Sequence, residues 1–197
     1  MTQFTAKQFN IRPLQGLSET TIVEHIKLYE GYVKHANLIL SKIESLKGNT
    51  DSAYELGETR RRFGFEFDGM RNHELYFGAL EGEVTPLDSS SKLSIKIAEQ
   101  FGSIEAWLTD FKTLAKTRGI GWAILYYDKN TDSLLNSWVD EQHLGHLVGL
   151  TPILALDMWE HSFVADYQPS GKPQYIDDYL AQVNWTFVEQ IFDSVSR

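Results

Sequence analysis

The apolar run Pro152–Leu156 constrains the fold of this chain more than any other stretch. It reads Pro-Ile-Leu-Ala-Leu and is followed at once by Asp157–His161, Asp-Met-Trp-Glu-His. Such a run predicts a buried β-strand, and the abrupt change in character predicts a turn where the strand ends. A buried charge is costly unless it is paired or bound to a metal. Asp157 and His161 could therefore bind one ion; the alternative is a helix-capping Asp and a hydrogen-bonded core His.

Length and composition limit the functions that the chain can have. Its 197 residues are 42% hydrophobic, which is enough for a sizeable core in one or two domains. The net charge of −9 disfavours nucleic-acid binding. No apolar run approaches the roughly 18 residues of a membrane span, so we expect no membrane partner. The chain has no cysteine, and its N-terminus lacks the pattern of a secretory signal, which together favour the cytoplasm.

Periodicity predicts two long helices in the first half of the chain. Apolar residues recur every three or four positions from Ile22 to Ile43, between the capping residues Ser18 and Gly48. A second helix is predicted from Ala53 to about Leu80, although its glycines weaken the pattern. Because the connection is short, the two helices should form an antiparallel hairpin.

The second half predicts a mixed domain. The segment Gly82–Ser91 is rich in turn residues, so we assign residues 1–84 to an N-terminal helical-hairpin domain and residues 85–197 to a C-terminal α/β domain. Two helices and a β-hairpin are expected in the latter, at Leu93–Glu99, Ile104–Ala115, residues 119–127 and Leu134–Val139. With the strand that ends at Asp157, the hairpin makes a small three-stranded antiparallel sheet, and two helices close the chain. The predicted fold class is α+β.

Several separated motifs resemble those of the iron/manganese superoxide dismutases. Asp157–Phe163 is the strongest, and Asp166–Gln168, Tyr175–Ile176 and Val183–Trp185 follow in the same order. The resemblance covers about residues 15–195 and is strongest after residue 118. It implies an antioxidant oxidoreductase that converts superoxide to dioxygen and hydrogen peroxide by cycling one iron or manganese ion per chain.

In that family three histidines and one aspartate bind the ion. The resemblance carries Asp157 and His161 over directly, and Asn72–Phe77 matches the motif that supplies a further ligand, His73. Imidazole and carboxylate ligands suit these redox metals. Without the other motifs, His73 would be interpreted as a half-buried polar residue on an apolar helix face. The matched motifs favour the interpretation that it is a metal ligand.

The first helix departs from the family pattern. The family usually places its ligand His eight residues before a Tyr-Val pair; here Tyr32 begins that pair, with Glu24 eight and His25 seven residues before it. Either Glu24 replaces the histidine, or loss of one residue from a helical bulge makes His25 the ligand. His25 shares a helix face with Tyr29 and Tyr32, whereas Glu24 is rotated by about 100° toward the polar side. We therefore favour His25.

The resemblance also implies roles for residues around the ligands. Tyr32 matches a tyrosine at the mouth of the substrate channel. Iron-type members often have a Gln where this chain has Gly69, whereas manganese-type members supply one from the second domain, where this chain has Gln142 and His143. We favour His143 as the residue that binds metal-bound solvent, with Gln142 as the alternative; both could instead belong to an ordinary polar loop. Lys172 is either a substrate-steering cation or a solvated loop lysine.

Residues at the family's subunit interface are partly changed. The family often has a His where this chain has Tyr29, and a Tyr that reaches it across the dimer where this chain has Val164. Glu160 still matches the residue that pairs with a metal-binding His of the partner. The resemblance therefore implies a homodimer or a dimer of dimers with an altered bridge between its sites.

Two other functions remain open from the sequence. If neither candidate on the first helix binds, two histidines and one carboxylate would form a mononuclear non-haem iron site with different chemistry. Alternatively, the chain could be a non-enzymatic scaffold that keeps a dismutase-like fold. Metal content and superoxide turnover would distinguish the three functions.

Overall fold

Two long helices begin the fold, and a small sheet flanked by shorter helices completes it. The computed structural model describes residues 2–196. The helices of the first half are α1 (Glu19–Leu46) and α2 (Ala53–Leu80). The second half contains α3 (Lys92–Phe101), α4 (Ile104–Ala115), β1 (Gly121–Asp128), β2 (Ser133–Asp140), β3 (Thr151–Asp157), α5 (Val164–Tyr167), α6 (Lys172–Ala181) and α7 (Trp185–Val195). The predicted α+β class is confirmed.

Helix α1 forms where its cap and its apolar spacing predict. The Ser18 hydroxyl accepts a hydrogen bond from the Thr21 amide at 3.2 Å, and an acidic residue stands in the first turn, where the helix dipole favours it. Its buried residues recur at three- and four-residue spacing: Ile22, His25, Tyr29, Val33 and Ala36. That face packs along α2, and His25 therefore points into the protein.

Glycine allows α1 and α2 to approach closely where Tyr32 lies. A Cβ atom at Gly69 would stand 2.7 Å from Cδ1 of Tyr32, closer than such atoms pack. The glycine that weakens the helical pattern of α2 thus has a packing role. As a result, Tyr32 lies close to the part of α2 that carries His73, and their ring centroids are 5.1 Å apart.

The sheet has three antiparallel strands in the order β2-β1-β3. Its central strand, β1, is buried from Gly121 to Tyr127, and Trp122 pairs with Asp157 of β3. The β1–β3 pairing shifts by one residue between Leu125 and Tyr126, a bulge of the kind that often re-aims side chains near active sites. The sheet therefore places the end of β3 beside the start of β1.

The core runs without a break through both halves of the chain. Buried residues from α1, α2, the sheet and α7 belong to one cluster, which includes Val33, Met70, Ile124 and Phe192. The expected domain boundary lies in the segment between α2 and α3. Among the described helices, α5 was not predicted, since four residues are too few for a periodic signal. None of the described helices is long and apolar enough to cross a membrane.

Candidate metal centre

Four side chains from four elements of the fold converge at one point in the interior. They are His25 of α1, His73 of α2, Asp157 at the end of β3, and His161 in the short 3₁₀ turn after it. Their candidate ligand atoms all lie within 4.8 Å of one another. Oδ2 of Asp157 is 3.1 Å from Nε2 of His25, 3.2 Å from Nε2 of His161 and 3.6 Å from Nε2 of His73.

The cluster is almost wholly removed from solvent. The side chains of His25, His73 and Asp157 are fully buried, while that of His161 is 22% exposed. Polar groups in such a place must satisfy one another or bind a ligand. Solvent therefore reaches the cluster on the side where His161 lies.

The hydrogen bonds of His73 show that the cluster fits a metal ion. Its Nδ1 lies 2.6 Å from the Gly69 carbonyl oxygen, which can only accept, so Nδ1 carries the proton and Nε2 has a free lone pair. That Nε2 is buried, has no hydrogen-bond partner in the part of the chain that the structure describes, and faces Oδ2 of Asp157, another acceptor, at 3.6 Å. A cation between the two acceptors would turn their repulsion into attraction. The supporting bond from the far ring nitrogen to a carbonyl is also typical of metal-binding histidines.

The spacing and chemistry of the donors fit as well. Ligand bonds of about 2.1 Å that meet at right angles or at 120° separate neighbouring ligand atoms by about 3.0–3.6 Å, the range observed around Asp157. Three imidazoles and one carboxylate suit iron or manganese. His25 differs from His73 in that its Nδ1 is buried and finds no hydrogen-bond partner among the described residues.

Electrostatics keep the donors in the states that bind cations. Burial, together with the neighbouring His25, lowers the pKa of His73 to about 3, so its imidazole is neutral. Burial also lowers the pKa of His25, although Asp157 opposes the shift. For Asp157, burial works against ionisation, but the charge and hydrogen bonds of His161 and His25 outweigh it and hold its pKa below the usual range. The cluster thus presents an ionised carboxylate beside the neutral imidazole of His73.

The end of β3 holds Asp157 in place through several bonds. Its Oδ1 accepts from the Trp159 amide at 2.8 Å, which leaves Oδ2 for the histidines. The hydroxyls of Ser162 and Tyr175 donate to its main-chain carbonyl at 3.1 and 2.8 Å. One carboxylate therefore both stabilises the turn after β3 and faces the histidines.

On α1 the structure brings His25, and not Glu24, to the cluster. The Glu24 side chain is 63% exposed and pairs with Lys27 at 2.6 Å. Helix α1 is an unbroken α-helix through Tyr32. Because this chain has one residue fewer between the ligand position and that tyrosine than the family pattern has, the residue that faces inward is number 25 and not number 24. The non-haem alternative, which required both candidates to be absent from the site, loses its basis.

A hydrogen-bonded chain of side chains lies next to the cluster. The Gln142 side chain is fully buried; its Nε2 donates to the Tyr32 hydroxyl oxygen at 3.0 Å, and its Oε1 accepts from Trp122 Nε1 at 2.9 Å. The preferred residue, His143, instead packs its ring edge-on against Phe65 at 5.6 Å. Of the two candidates, Gln142 is therefore the one whose side chain bonds to Tyr32, because the two neighbours point in different directions from one loop.

Two further predicted residues line one surface cavity. Lys172 and Glu160 border a cavity of about 460 Å³, together with the cations Lys116 and Arg118. The Lys172 ammonium donates to the Thr117 carbonyl at 2.7 Å. Positive charge is therefore concentrated beside the segment that carries His161, although the chain as a whole is acidic.

Comparisons with known proteins agree with this geometry. Residues 89–191 match the profile of the iron/manganese superoxide dismutases, C-terminal domain. A superoxide dismutase [Fe] of Cupriavidus metallidurans is 35% identical over 175 residues, which cover 87% of this chain and 86% of that protein. A superoxide dismutase [Fe] of Aquifex pyrophilus is 31% identical, with 93% and 88% covered. A superoxide dismutase [Mn/Fe] of Aeropyrum pernix is 31% identical, with 88% and 81% covered.

The choice between the two helix-one residues can be tested by metal retention. His25→Ala should lose the bound metal on dialysis, because it removes one of the converging donors, whereas Glu24→Gln should keep a full complement. Elemental analysis of the dialysed proteins measures both. Loss of metal from Glu24→Gln, with retention in His25→Ala, would reverse the assignment.

Proposed function

The chain belongs to the iron/manganese superoxide dismutase family, and we propose that it converts superoxide to dioxygen and hydrogen peroxide with one bound iron or manganese ion. Four side chains hold the ion: His25, His73, Asp157 and His161. The convergence of their donor atoms within 4.8 Å of one another, in a buried site, carries this proposal. The scaffold alternative would not preserve three imidazoles around a buried carboxylate, an arrangement that is costly unless it binds a cation.

When bound, the ion supplies one-electron chemistry, by which one superoxide is oxidised and a second is reduced. The protein's residues have three tasks around it. Asp157 contributes the negative charge that a di- or trivalent cation requires, and the three imidazoles would complete its coordination. The burial of His25 and His73 excludes water and competing ligands from that side, so substrate approaches from the side of His161 and Tyr32.

Reduction of superoxide to hydrogen peroxide consumes protons, and Tyr32 is placed to deliver them. Burial, reinforced by the charges of Asp157 and Glu66, raises the pKa of Tyr32, so the hydroxyl stays protonated at neutral pH. Because the Gln142 amide donates to the Tyr32 oxygen, the hydroxyl hydrogen remains available to another acceptor. Gln142 thereby orients the proton of Tyr32, and Trp122 orients Gln142.

The amide that bonds to Tyr32 comes from the second half of the chain, and this supports manganese as the metal with the higher activity. With Tyr32 in its observed place, α2 has no room for a side chain at Gly69. The amide therefore comes from Gln142 in the second half of the chain, as in the manganese-type members of the family. The hydrogen bonds around a bound solvent molecule tune the redox potential of a metal, so this arrangement affects which metal is active.

Substrate steering and assembly complete the proposal. Lys172 attracts superoxide to the site, since local electric fields rather than net charge guide a small anion. A rate of superoxide consumption that falls with ionic strength in the wild-type protein but not in Lys172→Gln would support this role.

Glu160 is exposed beside His161 and is available to a partner subunit. The Tyr29 hydroxyl is bonded within its own chain, to the Lys7 amide at 2.8 Å and to Glu74 at 3.4 Å, so it does not form the family's bridge between subunits.

The protein is accordingly a homodimer, or a dimer of dimers, in the cytoplasm. Sedimentation equilibrium should give twice or four times the chain mass of 22.6 kDa. A monomer at micromolar concentration would contradict the assembly and leave the metal site unaffected.

The proposed activity is tested with protein loaded separately with manganese and with iron. We expect rapid superoxide consumption by stopped-flow spectrophotometry, faster with manganese. His73→Ala and His161→Ala should each lower it by more than about 100-fold, since even partners of metal ligands typically contribute about 10- to 100-fold. His35→Ala is the matched control, because His35 is 54% exposed and outside the cluster.

Two outcomes would count against this function. A fully metal-loaded wild-type protein without turnover would favour the scaffold. Full metal retention and activity in His73→Ala would remove that residue from the ligand set.

The loop residues next to Tyr32 give a separate prediction. Gln142→Ala should keep the metal but lower kcat by about 10- to 100-fold, because the proton of Tyr32 loses its orientation. His143→Ala should stay near the wild-type rate, since its ring is directed at Phe65. Stopped-flow rates with matched metal contents measure the difference, and the opposite ranking would restore His143 as the functional residue.

A further inference from the structure

We propose that Tyr126 and His146 are positioning residues that hold the main chain of Gln142, and through it the amide that orients Tyr32. The two residues touch neither the metal ligands nor Tyr32 through any bond that the structure shows, and no motif pointed to them. The inference rests on the proposed role of Gln142 in dismutation.

The main-chain carbonyl of Gln142 is held from two sides. Nδ2 of Asn72 donates to it at 3.0 Å, and Nε2 of His146 lies 3.2 Å from the same oxygen. A carbonyl oxygen has two lone pairs, so both donors can be satisfied together. The carbonyl of Gln142 is thus fixed to α2, through the neighbour of His73, and to the following loop.

The loop that carries Gln142 has a backbone conformation that its residues do not favour by themselves. Glu141 has a φ of 52°, in the left-handed region that non-glycine residues seldom adopt. The amide and carbonyl of Asp140 pair with Leu144 at 2.8 and 3.1 Å, which closes a tight turn around the intervening residues. Such a conformation is maintained by its surroundings rather than by propensity. The bonds to the Gln142 carbonyl are part of those surroundings, together with the bond from the Glu141 amide to the Ile120 carbonyl at 3.2 Å and the bond from Trp159 Nε1 to the Glu141 carbonyl at 3.0 Å.

Tyr126 fixes the ring of His146. The Tyr126 hydroxyl lies 2.6 Å from Nδ1 of His146. Since Nε2 must carry a proton to donate to the Gln142 carbonyl, Nδ1 of a neutral ring is an acceptor, and the hydroxyl is its donor. Burial raises the pKa of Tyr126, which keeps that hydroxyl protonated. Both nitrogens of His146 are therefore engaged, and the ring has one favoured orientation.

The side chain and the main chain of Gln142 are both held through residues on one face of β1. Trp122 and Tyr126 are four residues apart on a strand, so their side chains leave the same face of the sheet. Trp122 donates directly to the side-chain oxygen of Gln142, and Tyr126 acts through His146 on its main chain. The central strand thereby sets the side chain and the backbone of Gln142 together.

Tyr126→Phe tests the inference because it removes one hydroxyl and keeps the buried ring. We expect kcat to fall about 3- to 10-fold, less than for the direct partners of a metal site, at unchanged metal content. Tyr127→Phe is the matched control: Tyr127 is equally buried, next in sequence and on the opposite face, and its hydroxyl donates to Asp132 at 2.8 Å. It should retain the wild-type kcat.

Double variants distinguish positioning from a general structural role. If Tyr126 acts through Gln142, Tyr126→Phe should have almost no further effect on kcat in a Gln142→Ala background. The reduction potential of the bound metal should shift in the same direction in Tyr126→Phe as in Gln142→Ala. Equal losses in both backgrounds, or an effect no larger than that of Tyr127→Phe, would overturn the inference.

A crystal structure of Tyr126→Phe tests the inference independently of catalysis. We expect the Gln142 amide to move beyond hydrogen-bond distance of the Tyr32 hydroxyl, from the 3.0 Å of the wild-type protein. An unchanged Gln142 would refute the positioning role even in an active enzyme. Conversely, absence of dismutation by the wild-type protein would refute the proposed function, while the position of Gln142 in the variant would still decide the inference.

Discussion

The buried carboxylate of Asp157 is the group on which the rest of the site depends. It ends the most apolar strand of the chain, where an unpaired charge would be strongly destabilising. Its Oδ2 instead lies within 3.6 Å of three imidazoles that come from α1, α2 and the turn after β3. The two halves of the fold therefore meet where this one charge must be satisfied, and a cation would satisfy it together with Nε2 of His73, which has no hydrogen-bond partner among residues 2–196.

Much of this arrangement is predictable from residue spacing. The period of α1 places His25 rather than Glu24 toward the core, and the observed exposure of Glu24 agrees. The run before Asp157 predicts a buried strand because nothing polar interrupts it. In such regular elements the direction of each side chain follows from its position, so the residues that converge could be named before their geometry was known.

Irregular segments carry no such rule. Gln142 and His143 are adjacent in a loop, and a residue with positive φ precedes them. Which of the two faces Tyr32 depends on that conformation and on donors from distant residues, neither of which periodicity encodes. The bond between Tyr126 and His146 likewise joins residues 20 positions apart and leaves no pattern in the sequence.

The central claim is that one metal ion is shared by Asp157 and three histidines. Anomalous diffraction from crystals of the purified protein, recorded on both sides of the iron and manganese absorption edges, tests it most directly. The account predicts a single peak per chain, of manganese or iron, among Oδ2 of Asp157 and the Nε2 atoms of His25, His73 and His161. A peak bound by Glu24, or crystals of active protein with no such peak at these four side chains, would contradict it.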